Sequence, residues 1–218
     1  MTWPIVETDG RAIVLDFSCG ARLFGHQIAE LSVHELSALI DRSMQEAGTG
    51  FAFGRWGEPR ELYKSPDFAN DTSERRTIHM GIDLFCAAGT LVRAPLDGVV
   101  EFVANNDREM DYGPMLIVGH EGFHTLYGHL SLDTLDRVAV GQVVEAGESI
   151  ASVGAPPSNG NWPPHLHFQQ INDLKGLGVD FPGVALKSEV EIWLSLSPCP
   201  ARFFPEVDSA ALEYKTCA

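Results

Sequence analysis

Residues 77–85 read TIHMGIDLF and residues 165–171 read HLHFQQI. In the first run Ile78, Met80, Ile82 and Leu84 alternate with His79, Gly81 and Asp83, so a strand puts the apolar set on one face. In the second, Leu166 and Phe168 point one way, and His165 and His167 the other. Between them lie LVRAPLDGVVEFVA (91–104), PMLIVGH (114–120), FHTLYGHL (123–130) and GQVVEAGESIASVG (141–154), short alternating runs separated by glycine. No long amphipathic pattern interrupts them before residue 172. Regular short strands with turn signals predict a mainly β fold, a sandwich or a folded sheet.

Upstream, Ile5–Val6 and Ala12–Phe17 flank Asp9-Gly10, the spacing of an N-terminal β-hairpin. Ser32 and Glu35 have capping-box spacing, with Leu31 and Leu36 placed to staple the helix start. Val33, Leu36, Leu39, Ile40, Met44 and Ala47 then recur at helical spacing until Gly48. His34 falls in the exposed first turn and reads as a surface histidine. Residues 48–70 lose the pattern and read as a loop-rich connection. The organisation expected is therefore an N-terminal hairpin, helix and connection (1–74), a β core (75–171) and a C-terminal extension (172–218). The extension carries Trp193, Pro198, Pro200 and Phe203-Phe204-Pro205.

Composition narrows the function classes. Apolar residues make up 44% and charged residues 21% of 218, which excludes fibrous and disordered classes. No window reaches the ~18 apolar residues of a membrane span. A formal charge of −15 opposes a phosphate backbone or an anionic membrane surface, so neither nucleic acid nor membrane is an expected partner. Pro4, Glu7, Asp9 and Arg11 interrupt any secretory signal at the start, so the expected location is cytoplasmic unless a leader was removed. Cys19, Cys86, Cys199 and Cys217 are scattered without a CxxC pair and read as free thiols.

Six of the 8 histidines lie between residues 79 and 167. On a straight strand His79 and Asp83 would stand ~13 Å apart. Both could reach one ion only if the chain bends between them, and Gly81 gives it freedom to do so. His165 and His167 on one face suit a metal site in which one ligates and the other stands behind. Tyr127 and His129 share a face across Gly128 by the same alternation; His124 could join them through the loop, and His120 ends the preceding strand.

Three ordered phrases, H79-M-G-I-D83, Y127-G-H129-L and H165-L-H167-F, together resemble the lysostaphin and LytM type of zinc metallopeptidase, family M23. The resemblance covers residues 75 to 171 and implies an antiparallel β-sheet core. It implies one Zn²⁺ per chain held by His79, Asp83 and His167, with no other cofactor. It implies catalytic roles for His129 and His165, assisting a metal-activated water that attacks a peptide or amide carbonyl. Tyr127 and Trp162 are expected at the substrate rim. Trp162-Pro163-Pro164 stands where such proteins usually carry a stretch of small residues. That departure suggests small or precursor peptides rather than intact cell wall.

Two other classes compete. APLDGVVEFVA and VEAGESIASVG also look like halves of a biotinyl or lipoyl carrier hairpin, but Lys64, Lys175, Lys187 and Lys215 all lie outside the β runs. A metal-binding but non-catalytic regulatory module is the alternative, although such proteins usually lose ligands that this chain keeps. The chain is also similar to leaderless domains of this type fused between a kinase-like phosphotransferase and a class III aminotransferase, so fused or associated enzyme domains are possible partners.

Overall fold

The glycine-separated runs become strands that meet in one large sheet. The structure is a computed structural model and describes residues 2–63, 68–69 and 74–215. Cys217 and Lys64 lie outside them, while Cys19, Cys86 and Cys199 are free thiols. In chain order the strands are β1 (Ile13–Val14), β2 (Arg22–Leu23), β3 (His26–Gln27), β4 (Ala52–Gly54), β5 (Arg76–His79), β6 (Ile82–Phe85) and β7 (Leu91–Arg93). They continue as β8 (Gly98–Asn106), β9 (Gly113–His120), β10 (Phe123–Gly128), β11 (Val143–Val144), β12 (Ser149–Ser152), β13 (His165–Ile171) and β14 (Val184–Leu186). Eight of them form the main sheet in the order β1-β4-β6-β13-β10-β9-β8-β11. Every pairing in it is antiparallel except β1 with β4. The fold is mainly β around a large antiparallel sheet, the folded sheet of the two expected forms. Among the described residues no helix is long and apolar enough to cross a membrane.

Both faces of this sheet are covered, so its central strands are apolar on both sides. Leu116, Val118, Tyr127, Leu166 and Phe168 face one core, together with Val92, Ile150, Phe203, Phe204 and Leu212. Met115, Ile117, Leu126 and Ile171 face a second core with Ile78, Met80 and Phe181. The TIHMGIDLF run serves both. It breaks at Met80–Gly81 into β5, which pairs with β14, and β6, which enters the main sheet. Ile78 and Met80 therefore fill the second core while Ile82 and Leu84 fill the first. The single apolar face expected of this run is corrected to two.

The N-terminal hairpin is also corrected. Among the described residues no strand joins Ile5–Val6 to Ala12–Phe17. Ile5 runs beside β7, its carbonyl accepting from Arg93 N at 2.8 Å, and Ile5 and Val6 are buried in the first core. Gly10 does turn the chain at φ 77, but the turn delivers Ile13 to a parallel pairing with Ala52. A tight hairpin forms instead at β2–β3, where Phe24 and Gly25 both have positive φ, the geometry a two-residue connection favours. Helix α1 (Val33–Ala47) has the expected form: a reciprocal Ser32–Glu35 capping box and a left-handed Gly48 at its end. Leu36, Ile40 and Met44 bury its inner face against Ala52 and Phe85.

The C-terminal stretch does not stand apart from the β core. β14 pairs with β5, with Val184 opposite His79. Helices α2 (Thr134–Arg137), α3 (Val190–Leu196) and α4 (Ser209–Leu212) are short, and Trp193 of α3 stacks edge-on against Phe181.

Candidate metal centre

Pairing of β6 with β13 sets Asp83 directly opposite His167. His79 reaches them from the end of β5, across the Met80–Gly81 break, which removes the 13 Å separation of a straight strand. His79 Nε2 lies 3.1 Å from Asp83 Oδ1 and 3.0 Å from His167 Nδ1. His167 Nδ1 lies 3.1 Å from the same Asp83 oxygen. All three side chains are buried. Gly81 is needed for this approach, because a methyl group there would stand 2.6 Å from Cε1 of the His167 ring.

The outward contacts fix which atoms face inward. His79 Nδ1 is 2.8 Å from the Arg55 carbonyl, so it donates there and leaves Nε2 without a proton. Gln169 donates through its amide nitrogen to Pro182 O, so its oxygen accepts from His167 Nε2 at 3.0 Å, which leaves Nδ1 bare. Asp83 Oδ2 accepts from Arg60 Nη1 at 2.6 Å. Three lone-pair atoms thus converge with no proton between them, an arrangement that repels itself unless a cation sits among them. Burial first, then the Arg60 charge, pushes His79 down to about 4, so it stays neutral near pH 7. Burial alone would raise the Asp83 carboxyl, but neighbouring positive charge, with the Arg60 guanidinium 2.6 Å away, holds Asp83 well below the usual carboxylate range. Two neutral imidazoles and one carboxylate, with atoms close enough for one ion at ~2.0–2.2 Å, fit a Zn²⁺ site.

His129 and His165 stand beside this triangle, their ring centroids 4.4 Å apart. His129 Nδ1 meets the Asn159 carbonyl at 2.9 Å and His165 Nδ1 the Pro163 carbonyl at 2.6 Å. Each therefore carries its proton on Nδ1 and keeps Nε2 free, and His165 Nε2 is 3.6 Å from Asp83 Oδ1. Burial, then the neighbouring His165 and His167, holds His129 well below the usual histidine range. Burial likewise lowers His165, against the opposing pull of Asp83.

Tyr127 is corrected: it does not reach the rim. β10 ends at Gly128 and His129 has a left-handed backbone, φ 62, which breaks the alternation expected to keep Tyr127 and His129 on one face. Tyr127 is instead wholly buried in the first core, and Thr125 donates to its hydroxyl. Trp162 does flank the site, its ring centroid 5.9 Å from His129 and 6.3 Å from His165. With Tyr63 and Phe68 it forms an aromatic wall to a cavity of about 410 Å³ that opens on all five site residues. His120 and His124 lie elsewhere: His120 bonds Asp97 O and Thr125 Oγ1, and His124 pairs with Glu101.

Sequence reading missed Arg60, Glu58 and Gln169. Gln169 had a signal, since it follows His167 by two on the same strand face. Glu58 and Arg60 had none beyond their charge, because the connection that carries them has no periodicity. The cavity also draws Phe181, Pro182 and Val184 from the expected extension.

Residues 77–180 match the profile of Peptidase family M23, and this stretch is a domain of that family. The match runs nine residues beyond the expected core boundary at 171. An uncharacterized metalloprotease of Haemophilus influenzae is 34% identical over 143 residues, covering 62% of this chain and 29% of that protein. The DD-carboxypeptidase/endopeptidase Mpg of Neisseria meningitidis is 39% identical over 93 residues, covering 42% and 20% respectively. The chain thus spans under a third of the length of either relative. The catalytic domain of the antimicrobial peptidase lysostaphin from Staphylococcus simulans superposes with a TM-score of 0.39 at 23% identity, over 54% of this chain and 80% of that one.

Proposed function

We propose that this protein is a zinc-dependent peptidase that hydrolyses amide bonds in short peptides, stem peptides of cell-wall material among them. The observation that carries this reading is the convergence of three proton-free donor atoms from His79, Asp83 and His167 in a buried pocket. These residues would hold the ion, and bound zinc supplies Lewis acidity toward water and the substrate carbonyl. His129 and His165, neutral and anchored through Nδ1, offer Nε2 to take the proton of an attacking water. Either can then deliver a proton to the leaving amine or donate to the developing oxyanion.

The substrate class rests on the family and on the cavity. The Neisseria relative is named as a carboxypeptidase and endopeptidase, which supports peptides as the class. A cavity of about 410 Å³ walled by Trp162, Tyr63 and Phe68 favours a short ligand over a long glycan strand. Elemental analysis and a substrate panel test both parts. One zinc per chain is expected, with His79→Ala, Asp83→Ala and His167→Ala each binding it far more weakly. Full metal in all three variants would overturn the metal assignment. Short soluble peptides should be cut faster than intact sacculi release dye; rapid sacculus lysis without that preference would overturn the substrate class.

A further inference from the structure

Arg60 lies beside the metal centre at the wall of the same cavity, yet is only 3% exposed. Each of its three side-chain nitrogens is committed. Nε donates to Glu58 Oε2 at 2.8 Å, Nη1 to Asp83 Oδ2 at 2.6 Å and Nη2 to the Arg55 carbonyl at 3.4 Å. That same carbonyl accepts from His79 Nδ1. One guanidinium therefore reaches two of the three candidate ligands, one directly and one through a shared carbonyl. Glu58 braces it from behind. Its side chain is fully buried, and its other oxygen accepts from Arg55 Nη1 at 3.0 Å and Phe17 N at 3.2 Å. Gly54 sits opposite Asp83 across the β4–β6 pair and leaves the room this arrangement needs. A methyl group there would lie 2.6 Å from Arg60 Nη2 and 3.3 Å from Asp83 Oδ2.

Three roles compete for such an arginine. A substrate anchor needs donors facing the cavity, and Arg60 spends its nitrogens on protein acceptors. A purely structural ion pair is complete with Glu58 alone and has no need of a ligand's second oxygen. The third role accounts for that contact. A carboxylate with both oxygens free can close on a cation with both, as calcium sites commonly do, whereas a four-coordinate site wants one. Resting on the zinc reading above, we infer that Arg60, braced by Glu58, is a positioning residue that ties down Asp83 Oδ2 so that the carboxylate offers the metal Oδ1 alone.

The test uses the full chain and three variants. Gly54→Ala keeps every charge but crowds the guanidinium. Arg60→Lys keeps the charge and loses the fork. The double variant Glu58→Gln, Arg60→Met removes the Arg60–Glu58 pair together, so Glu58 is not left buried and unpaired, while Asp83 keeps only the metal as its cation. Zinc affinity is read by chelator competition, coordination by the visible spectrum of the cobalt(II)-loaded protein, and folding by the melting temperature of the metal-free protein. Zinc affinity should fall roughly 10–100-fold in each variant, as for other outer partners of metal ligands. The cobalt absorption should weaken as the freed carboxylate raises the coordination number. If the double variant fails to fold, Gly54→Ala and Arg60→Lys decide the matter. Tight zinc in the unmodified chain with unchanged affinity and spectrum in the variants would overturn the role of Arg60 alone. So would an affinity loss matched by a melting loss with an unaltered cobalt spectrum. An unmodified chain that takes up no zinc would instead overturn the metal reading, and this role with it.

Discussion

At the scale of single residues, the proposed division between ligands and proton carriers rests on what each imidazole does with its second nitrogen. His79 and His167 spend it on Arg55 O and on Gln169 and turn the other toward Asp83. His129 and His165 hold theirs on backbone carbonyls outside the triangle. His129→Ala and His165→Ala should therefore keep zinc and lose on the order of 10²–10⁴-fold in hydrolysis; metal loss as complete as in His167→Ala would reverse the assignment. The pH dependence follows with its sign. The base works unprotonated and burial lowers His129, so activity persists as pH falls until that lowered value is reached. The acid limb of kcat/KM should lie below the ordinary histidine value of ~6.5, and a limb centred above it would contradict the buried-base reading. His165 and His167 were legible in sequence because strand alternation puts both on one face, whereas His79 and Asp83 were joined by the resemblance, since the chain breaks between them at Met80–Gly81. Tyr127 was misread because the left-handed backbone at His129 ends that alternation, and nothing in TLYGHL announces where it ends.

At the scale of elements, legibility follows how local the deciding interaction is. Helix α1 was readable because its cap and its stop are local backbone requirements, met by the Ser32–Glu35 pair at the start and by glycine's left-handed freedom at Gly48. Ser32→Ala should cost about 1 kcal/mol and lower the melting temperature by roughly 2–4 °C. Zinc content should not change, because Ser32 is no part of the metal centre; a combined loss of both would show that the helix start props the site. The Asp9-Gly10 hairpin failed for the opposite reason. A turn signal says that the chain reverses but not which strand it joins. Ile5 and Val6 are instead buried in the first core, with Ile5 beside β7. The break at Met80–Gly81 falls between these cases. Gly81 marked a bend correctly, but only the distant partner β14 makes the segment before it a separate strand.

At the scale of the whole molecule, the expected boundary at residue 171 divides a single packed body. Residues beyond it fill both faces of the main sheet: Phe203, Phe204 and Leu212 on one, Phe181 and Ala185 on the other. Phe181, Phe203 and Phe204 are each at most 1% exposed, so truncating any one to alanine should cost about 3–5 kcal/mol. Against a typical total stability of about 5–15 kcal/mol, removing all three at once exceeds what a domain can lose. The loss would reach the metal centre too. β14 is the hydrogen-bonding partner of β5, with Val184 opposite His79, and Met80 N donates to the Gly183 carbonyl just before it. Without that strand, the end of β5 that presents His79 has lost the neighbour that holds its direction. The sequence could not announce this, because the extension has no periodicity and Phe203 and Phe204 pack on Phe168, Phe123 and Phe53, all far upstream. A chain ending at Ile171 should therefore purify as aggregate or as a species without near-ultraviolet circular dichroism, and should bind zinc far more weakly than the full chain. Phe203→Ala should stay folded with a lowered melting temperature and its zinc intact, because it touches only the first core. If the truncated chain instead gave a cooperative melt and one zinc, the extension would be an appendage, and the β core alone would suffice to build the site.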